Sequence, residues 1–283
     1  MIRFALVAGA LALSAGCSRE PSQVAQEPPQ QVAAEESVAT PEPLRQNLSA
    51  KLFAGQPIVI DNPYGSVFLR FGGYEHEIGI HTTLQQPDGA PEISFKSGHD
   101  NGRYLIAPLL PKGAALAEAQ RLDLVVYVPE QHNVSVRTVY GDIESRGVKS
   151  NLELKSTDGN ISVRGTEGLV NAETGAGSIE VAMAGTAPKN SRQRLATITG
   201  RIVLGVTDRL NATIRLMTSA MFGTDYSIEV TRLPGEEPNK KGKSTIGLPQ
   251  AEILLESRRG EIRLERRAEY LPVENLPPTP PPK

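Results

Sequence analysis

A Gly-X-Ile turn recurs through the second half of this chain, and its spacing restricts what the chain can fold into. Tyr140-Gly141-Asp142-Ile143, Asp158-Gly159-Asn160-Ile161 and Ala176-Gly177-Ser178-Ile179 place glycines eighteen residues apart. Thr199-Gly200-Arg201-Ile202 follows after twenty-three residues, and Arg259-Gly260-Glu261-Ile262 closes the series. Tyr64-Gly65-Ser66-Val67 precedes it, and Gly223, with Tyr226 and Ile228 after it, reads as a degenerate member. The thirty-seven residues from Gly223 to Gly260 hold a polar insertion, Pro234 to Gly247. A repeat of about twenty residues marks a stacked architecture, because one unit cannot bury its apolar face alone and a pile of units can.

Each unit reads as two short strands around a turn. Leu152 and Leu154 alternate with Asn151, Glu153 and Lys155, and beyond the turn Ile161 and Val163 alternate with Asn160, Ser162 and Arg164. A period of two buries one face and wets the other. Val134/Val136, Val170/Ala172 with Ile179/Val181, Ile214/Leu216 and Ile253/Leu255 with Ile262/Leu264 repeat the pattern. The turn residues Gly65, Gly141, Gly159, Gly177, Gly200 and Gly260 are expected to take positive φ, which glycine adopts at little cost. Ile143, Ile161 and Ile179 hold the same place in three units and are expected to form one buried column.

The stretch from Lys51 to Pro129 carries the same signals less regularly. Strands are expected at Ile58 to Ile60, Val67 to Arg70, Ile78 to Thr83, Ile93 to Lys96, Arg103 to Ile106 and Leu122 to Val128, and one helical segment at Gly113 to Arg121. The predicted fold is all-β: a β-solenoid of short stacked strands, β-helix-like or β-prism-like, over residues 51–270.

The ends differ in kind. Arg3 and the apolar run Phe4 to Leu13 lead to Ser14-Ala15-Gly16-Cys17, which resembles the lipobox of bacterial lipoprotein signal peptides. That resemblance implies removal of residues 1–17 and a covalent lipid, palmitate included, on Cys17. It departs from the family in having Ser14 where leucine is preferred, with Leu13 one step earlier. Ser18 after the cysteine implies sorting to the outer membrane in enteric bacteria, so the partner implied is a membrane and the place a lipid-anchored position in the cell envelope. Residues 18–50, rich in Pro, Gln and Glu, read as a flexible tether, and 271–283 as a Pro-rich tail without fixed structure. As a coil of roughly thirty residues the tether spans about 30 Å. Cys17 is the single cysteine, so a disulfide within the chain is excluded, as is a cysteine-based zinc site.

The run Leu122 to Val136, LDLVVYVPEQHNVSV, followed by YGDI, DGNI, AGSI and TGRI, resembles a family of bacterial adhesin-like domains of unknown function. The matching features are Val128-Pro129 at a strand end and the glycine turns at 141, 159 and 177, over about Ile58 to Leu264. The resemblance implies β-helix-like or β-prism-like stacks at the cell envelope and carries no catalytic residues with it.

The residues that could carry chemistry point the same way. His76 and His81 lie five apart in a strand-like stretch, where side chains alternate faces, so no metal site is expected. P-loop, dinucleotide, Gly-X-Ser-X-Gly and calcium-repeat motifs do not occur. Asp142, Glu144, Glu153, Asp158 and Glu180 fit a solvated outer face. Arg258, Arg259, Arg263, Arg266 and Arg267 on the last strand pair form a candidate anion-binding patch; the simpler reading is that these charges protect a terminal edge. A net charge of −2 speaks against nucleic acid. The expected function is a non-catalytic envelope module that binds a protein or glycan or acts as a scaffold, with no cofactor beyond the lipid. The alternative is a carbohydrate-active β-helix enzyme, not favoured because such enzymes need convergent acids.

Overall fold

The computed structural model describes residues 42–183 and 185–267, so Cys17, the signal segment and the C-terminal tail lie outside the described residues. Among the described residues the chain is all strand and turn. In chain order the strands are β1 (Leu44–Lys51), β2 (Ile58–Asn62), β3 (Val67–Phe71), β4 (Glu77–Gln85), β5 (Ser94–Asp100), β6 (Arg103–Leu109) and β7 (Arg121–Val128). Then come β8 (Val134–Thr138), β9 (Ile143–Arg146), β10 (Leu152–Ser156), β11 (Ile161–Thr166), β12 (Val170–Thr174), β13 (Ile179–Met183), β14 (Arg192–Thr197) and β15 (Ile202–Val206). The last are β16 (Ala212–Thr218), β17 (Phe222–Thr224), β18 (Glu229–Arg232), β19 (Lys240–Ile246), β20 (Ala251–Ser257) and β21 (Ile262–Arg266).

These strands make two large sheets. One has ten strands in the order β1-β4-β7-β3-β9-β11-β13-β15-β21-β17; the other has eleven, β18-β19-β16-β20-β14-β12-β10-β8-β2-β6-β5. From β8 to β15 the chain alternates between them, each strand–turn–strand unit adding one parallel strand to each sheet. The alternating apolar residues explain why. Their inward faces join in one buried cluster, while the polar residues between them stay outside.

Register follows the repeat. Val67 pairs with Ile143, Ile143 with Ile161, Ile161 with Ile179, Ile179 with Ile202 and Ile202 with Ile262. Each of these side chains is at most 1% exposed, so the isoleucines form one buried column. Burial of each contributes about 1.5–3 kcal/mol, which no single unit obtains without its neighbours.

The turn glycines work differently from the expectation. Gly65, Gly141, Gly159, Gly177, Gly200 and Gly260 are absent from the positive-φ positions of the described backbone. They are needed because successive turns nearly touch. A Cβ on Gly159 would fall inside contact distance of the Gly141 carbonyl oxygen, and one on Gly177, Gly200 or Gly260 would strike the carbonyl of the turn glycine stacked next to it. Gly223 is not part of this ladder: it lies within β17, paired to Arg263.

Three further expectations are corrected. Gly113 to Arg121 forms no helix; it is turn and loop, with Ala119 at φ 60, leading directly into β7. Its apolar residues are alanines and one leucine, too few to bury a helical face, and Leu116 is 36% exposed. Residues 44–50, read as tether, belong to β1, which pairs antiparallel with β4 from Leu44↔Leu84 to Lys51↔Glu77. The polar insertion from Pro234 to Gly247 contains β19, which pairs antiparallel with β16 and β18.

Strand order also departs from chain order. β20 and β21 insert between β14 and β16 and between β15 and β17. The last strand pair of the sequence is therefore internal, and its arginines do not guard a terminal edge.

Candidate functional site

A second ladder runs beside the glycines. Asn62, Thr138, Ser156, Thr174, Thr197 and Ser257 are register partners along the eleven-stranded sheet, and all six are buried. Their side chains tie one turn to the next. Ser156 accepts from the Gly159 amide (2.8 Å) and donates to the Gly141 carbonyl (3.3 Å); Ser257 accepts from Gly260 (2.8 Å) and donates to Gly200 (2.9 Å). Thr174 donates to Gly159 (2.8 Å) and Thr197 to Gly177 (3.0 Å). Buried polar groups persist when paired in this way. The pattern was present in the sequence as a Ser or Thr three residues before five of the six glycines, and Asn62 three before Gly65. The six glycines therefore belong to the scaffold and not to a ligand site.

The recurring acids lie on the outside, and four of the five have carboxylates held by a neighbour. Asp142 accepts from the Asn160 backbone and side-chain amides (2.7 and 3.2 Å). Glu144 contacts Arg70 and Arg146, both at 2.6 Å, as charge contacts and not aligned hydrogen bonds. Glu153 meets Lys155 at 2.7 Å, and Glu180 meets Arg164 and Arg267 at 3.2 and 3.3 Å. Asp158 sits in its turn, its amide bonded to the Val139 carbonyl (2.9 Å).

Four of the five C-terminal arginines take separate partners, and they do not converge. Arg259 pairs with Glu237 at 2.8 Å, Arg263 with Glu261 at 3.0 Å, Arg266 with Asp208 at 3.2 Å and Arg267 with Glu180. The Arg259 hydrogen bond holds the Glu237 carboxyl below its usual range, and the charge of Arg258 adds to this. Arg266 also lies 4.9 Å above the Tyr226 ring, whose hydroxyl is pushed up by burial and by its bond to Asp208.

The histidines give a small polar centre. His132 is fully buried; its Nδ1 donates to the Gln56 carbonyl at 2.8 Å, and its Nε2 lies 3.2 Å from His76 Nδ1. Donation from Nδ1 leaves the neutral ring's Nε2 as an acceptor, so a single proton satisfies the His76–His132 contact. His76 lies in the turn before β4 and borders a cavity of about 410 Å³ with Glu75, Glu130 and Phe71. His81 is apart from it, 5.2 Å from the Tyr127 ring. No group of three or more His, Cys, Asp or Glu side chains among the described residues is placed to hold a metal ion. Two grooves, of about 330 and 360 Å³, lie on the eleven-stranded sheet beside Glu153 and Asn171.

No family model matches the sequence, and no curated protein matches it. Among solved structures, the chain is similar to a suspected cell adhesion protein of Clostridium sporogenes at 12% identity, with 80% of this chain and 100% of that one covered and a TM-score of 0.47. It is also similar to a suspected adhesin of Bacteroides fragilis at 10% identity, with 78% and 97% covered and a TM-score of 0.40.

Proposed function

We propose that the protein is a non-catalytic, adhesin-like binding or scaffold module of the bacterial cell envelope. Its stacked units form a two-sheet β-solenoid, and a lipid on Cys17 holds it to the outer membrane through the tether. The observation that carries the reading is the disposition of the recurring acids. Asp142, Glu144, Glu153 and Glu180 are each engaged by a residue of the same outer surface, where hydrolysis of a glycoside calls for carboxyls facing one another across a bond. The two sheets thus present broad ordered faces suited to contact.

Fractionation of cells tests both parts. Wild type should sediment with membranes and Cys17→Ser should be soluble, since stable attachment needs the acyl chains that sulfur carries. Equal membrane retention would reject the anchor. Added to isolated envelopes, the soluble variant should co-sediment with them and release no new reducing ends. Release of reducing ends would overturn the non-catalytic reading in favour of a carbohydrate-active enzyme.

A further inference from the structure

Four arginines lie along one line on the outer face of the ten-stranded sheet. Arg70 of β3, Arg146 of β9 and Arg164 of β11 are register partners, side by side on three adjacent parallel strands. Strand spacing sets their pitch at about 4.8 Å. The next positions in that row are Ala182 of β13 and Gly205 of β15. Arg267 fills this space, for a Cβ on Gly205 would collide with its side chain. In the other direction Arg70 pairs with Tyr127 of β7, and Tyr127 with Gly79 of β4. The Tyr127 ring lies across that glycine, whose Cβ would stand 3.6 Å from Cδ2. Two glycines thus allow an aromatic ring and a guanidinium to lie on the sheet at either end of the row.

Carboxylates are fewer than arginines here. Glu144 bridges Arg70 and Arg146, and Glu180 bridges Arg164 and Arg267. Four guanidinium groups share two carboxylates, so this segment carries two positive charges in excess; the next position of the row, Glu265 beyond Gly205, faces Arg263 at 3.8 Å. Arg146 and Arg164 are 59% and 53% exposed, and each guanidinium has five donors, more than these contacts use.

We infer that this row binds an acidic polysaccharide, a chain of uronate-type sugars lying across the strands. The inference rests on the binding-module reading above and names its ligand. The arginine fork matches the carboxylate plane, and the row already holds a carboxylate between two guanidiniums twice over. An extended polyuronate presents carboxylates at short intervals along a line, complementing guanidiniums spaced by the strands. Tyr127, half-buried at the end of the row, adds an aromatic edge beside the guanidiniums for the apolar side of a sugar. A lipid surface fits less well: the adjacent row has Glu144, Ser162 and Glu180 at its middle, and of the apolar residues flanking them Val203 is buried and Phe68 lies under Arg70, 5.7 Å away. Single-stranded nucleic acid calls for successive stacking rings, where the row has one.

The test uses the soluble Cys17→Ser protein with polygalacturonate, neutral dextran and phosphatidylglycerol vesicles. Polygalacturonate should bind, more weakly as salt rises, and dextran should not. Arg146→Gln/Arg164→Gln should lower affinity at least about tenfold, through loss of two charge-assisted forks. Arg192→Gln/Arg215→Gln, which removes two arginines from Glu252 on the opposite sheet, should bind like the parent. Thermal melts establish that the variants fold, and if the row double variant melts early, Arg164→Gln alone carries the comparison. Unchanged affinity of the row variant, equal binding of dextran, or binding to the vesicles alone would overturn the inference. Failure to bind polygalacturonate, with sedimentation on envelopes intact, would overturn it and leave the binding-module reading standing. Shortening of the polygalacturonate would instead overturn the non-catalytic reading.

Discussion

Ile161→Asp is expected to leave the chain unfolded. Ile161 is the middle member of the isoleucine column, 1% exposed, with Ile143 and Ile179 as its register partners. The buried cluster it belongs to, which includes Leu152, Leu154, Val163 and Val170, is apolar and offers no partner for a charge. Solvating a carboxylate there would require opening the stack, and burying it unpaired costs more than a domain's net stability allows. Ile161→Ala removes the same side chain without adding charge and should cost about 2–5 kcal/mol. Urea denaturation followed by circular dichroism measures both. A native spectrum and parent-like stability for Ile161→Asp would remove the column from the core.

Gly159→Ala should be nearly as damaging as Gly159→Val, at about 3 kcal/mol or more, the upper end of overpacking costs. The added Cβ meets the Gly141 carbonyl, and it also approaches Ser156 Oγ at 2.8 Å, the atom that ties the two turns together. Both obstacles are held by buried backbone and cannot swing aside. Gly55→Ala supplies the contrast. Gly55 has φ 69 and open space around its missing side chain, so the substitution meets only left-handed backbone strain, about 1–2 kcal/mol. Equal losses at the two positions, measured by denaturant titration, would mean that close approach is not why the turns use glycine.

These two residues also mark how far the sequence could be read. The alternation around Ile161 contains its own explanation: period two, a turn and an eighteen-residue return define both the strand and its partner. The glycine was recognisable as a turn residue, but the reason for it lies in the distance to the next turn, which one strand–turn–strand unit does not contain. β1 was hidden because LRQNLSAK lacks a strong apolar alternation and is held by pairing with β4. The internal position of β20 and β21 was also hidden, since the repeat is equally compatible with units stacked in chain order. That order decides the surface. It separates the C-terminal arginines among Glu237, Glu261, Asp208 and Glu180. The row of Arg70, Arg146 and Arg164 was visible in outline as an arginine three residues after Val67, Ile143 and Ile161. Its meaning as a line of charge required the register.

Register is also the most direct test. On the outer face of the eleven-stranded sheet, Glu153 of β10 is the partner of Asn171 of β12, and Glu173 lies two residues further along. In a Cys17→Ser background, which removes the single native thiol, Glu153→Cys/Asn171→Cys should close a disulfide under mild oxidation. In-register neighbours about 4.8 Å apart lie within disulfide reach. Glu153→Cys/Glu173→Cys, displaced by about 6–7 Å along the strand, should remain reduced under the same conditions. Cross-linking of the second pair and not the first would contradict the eighteen-residue stack on which the fold and both of its faces depend.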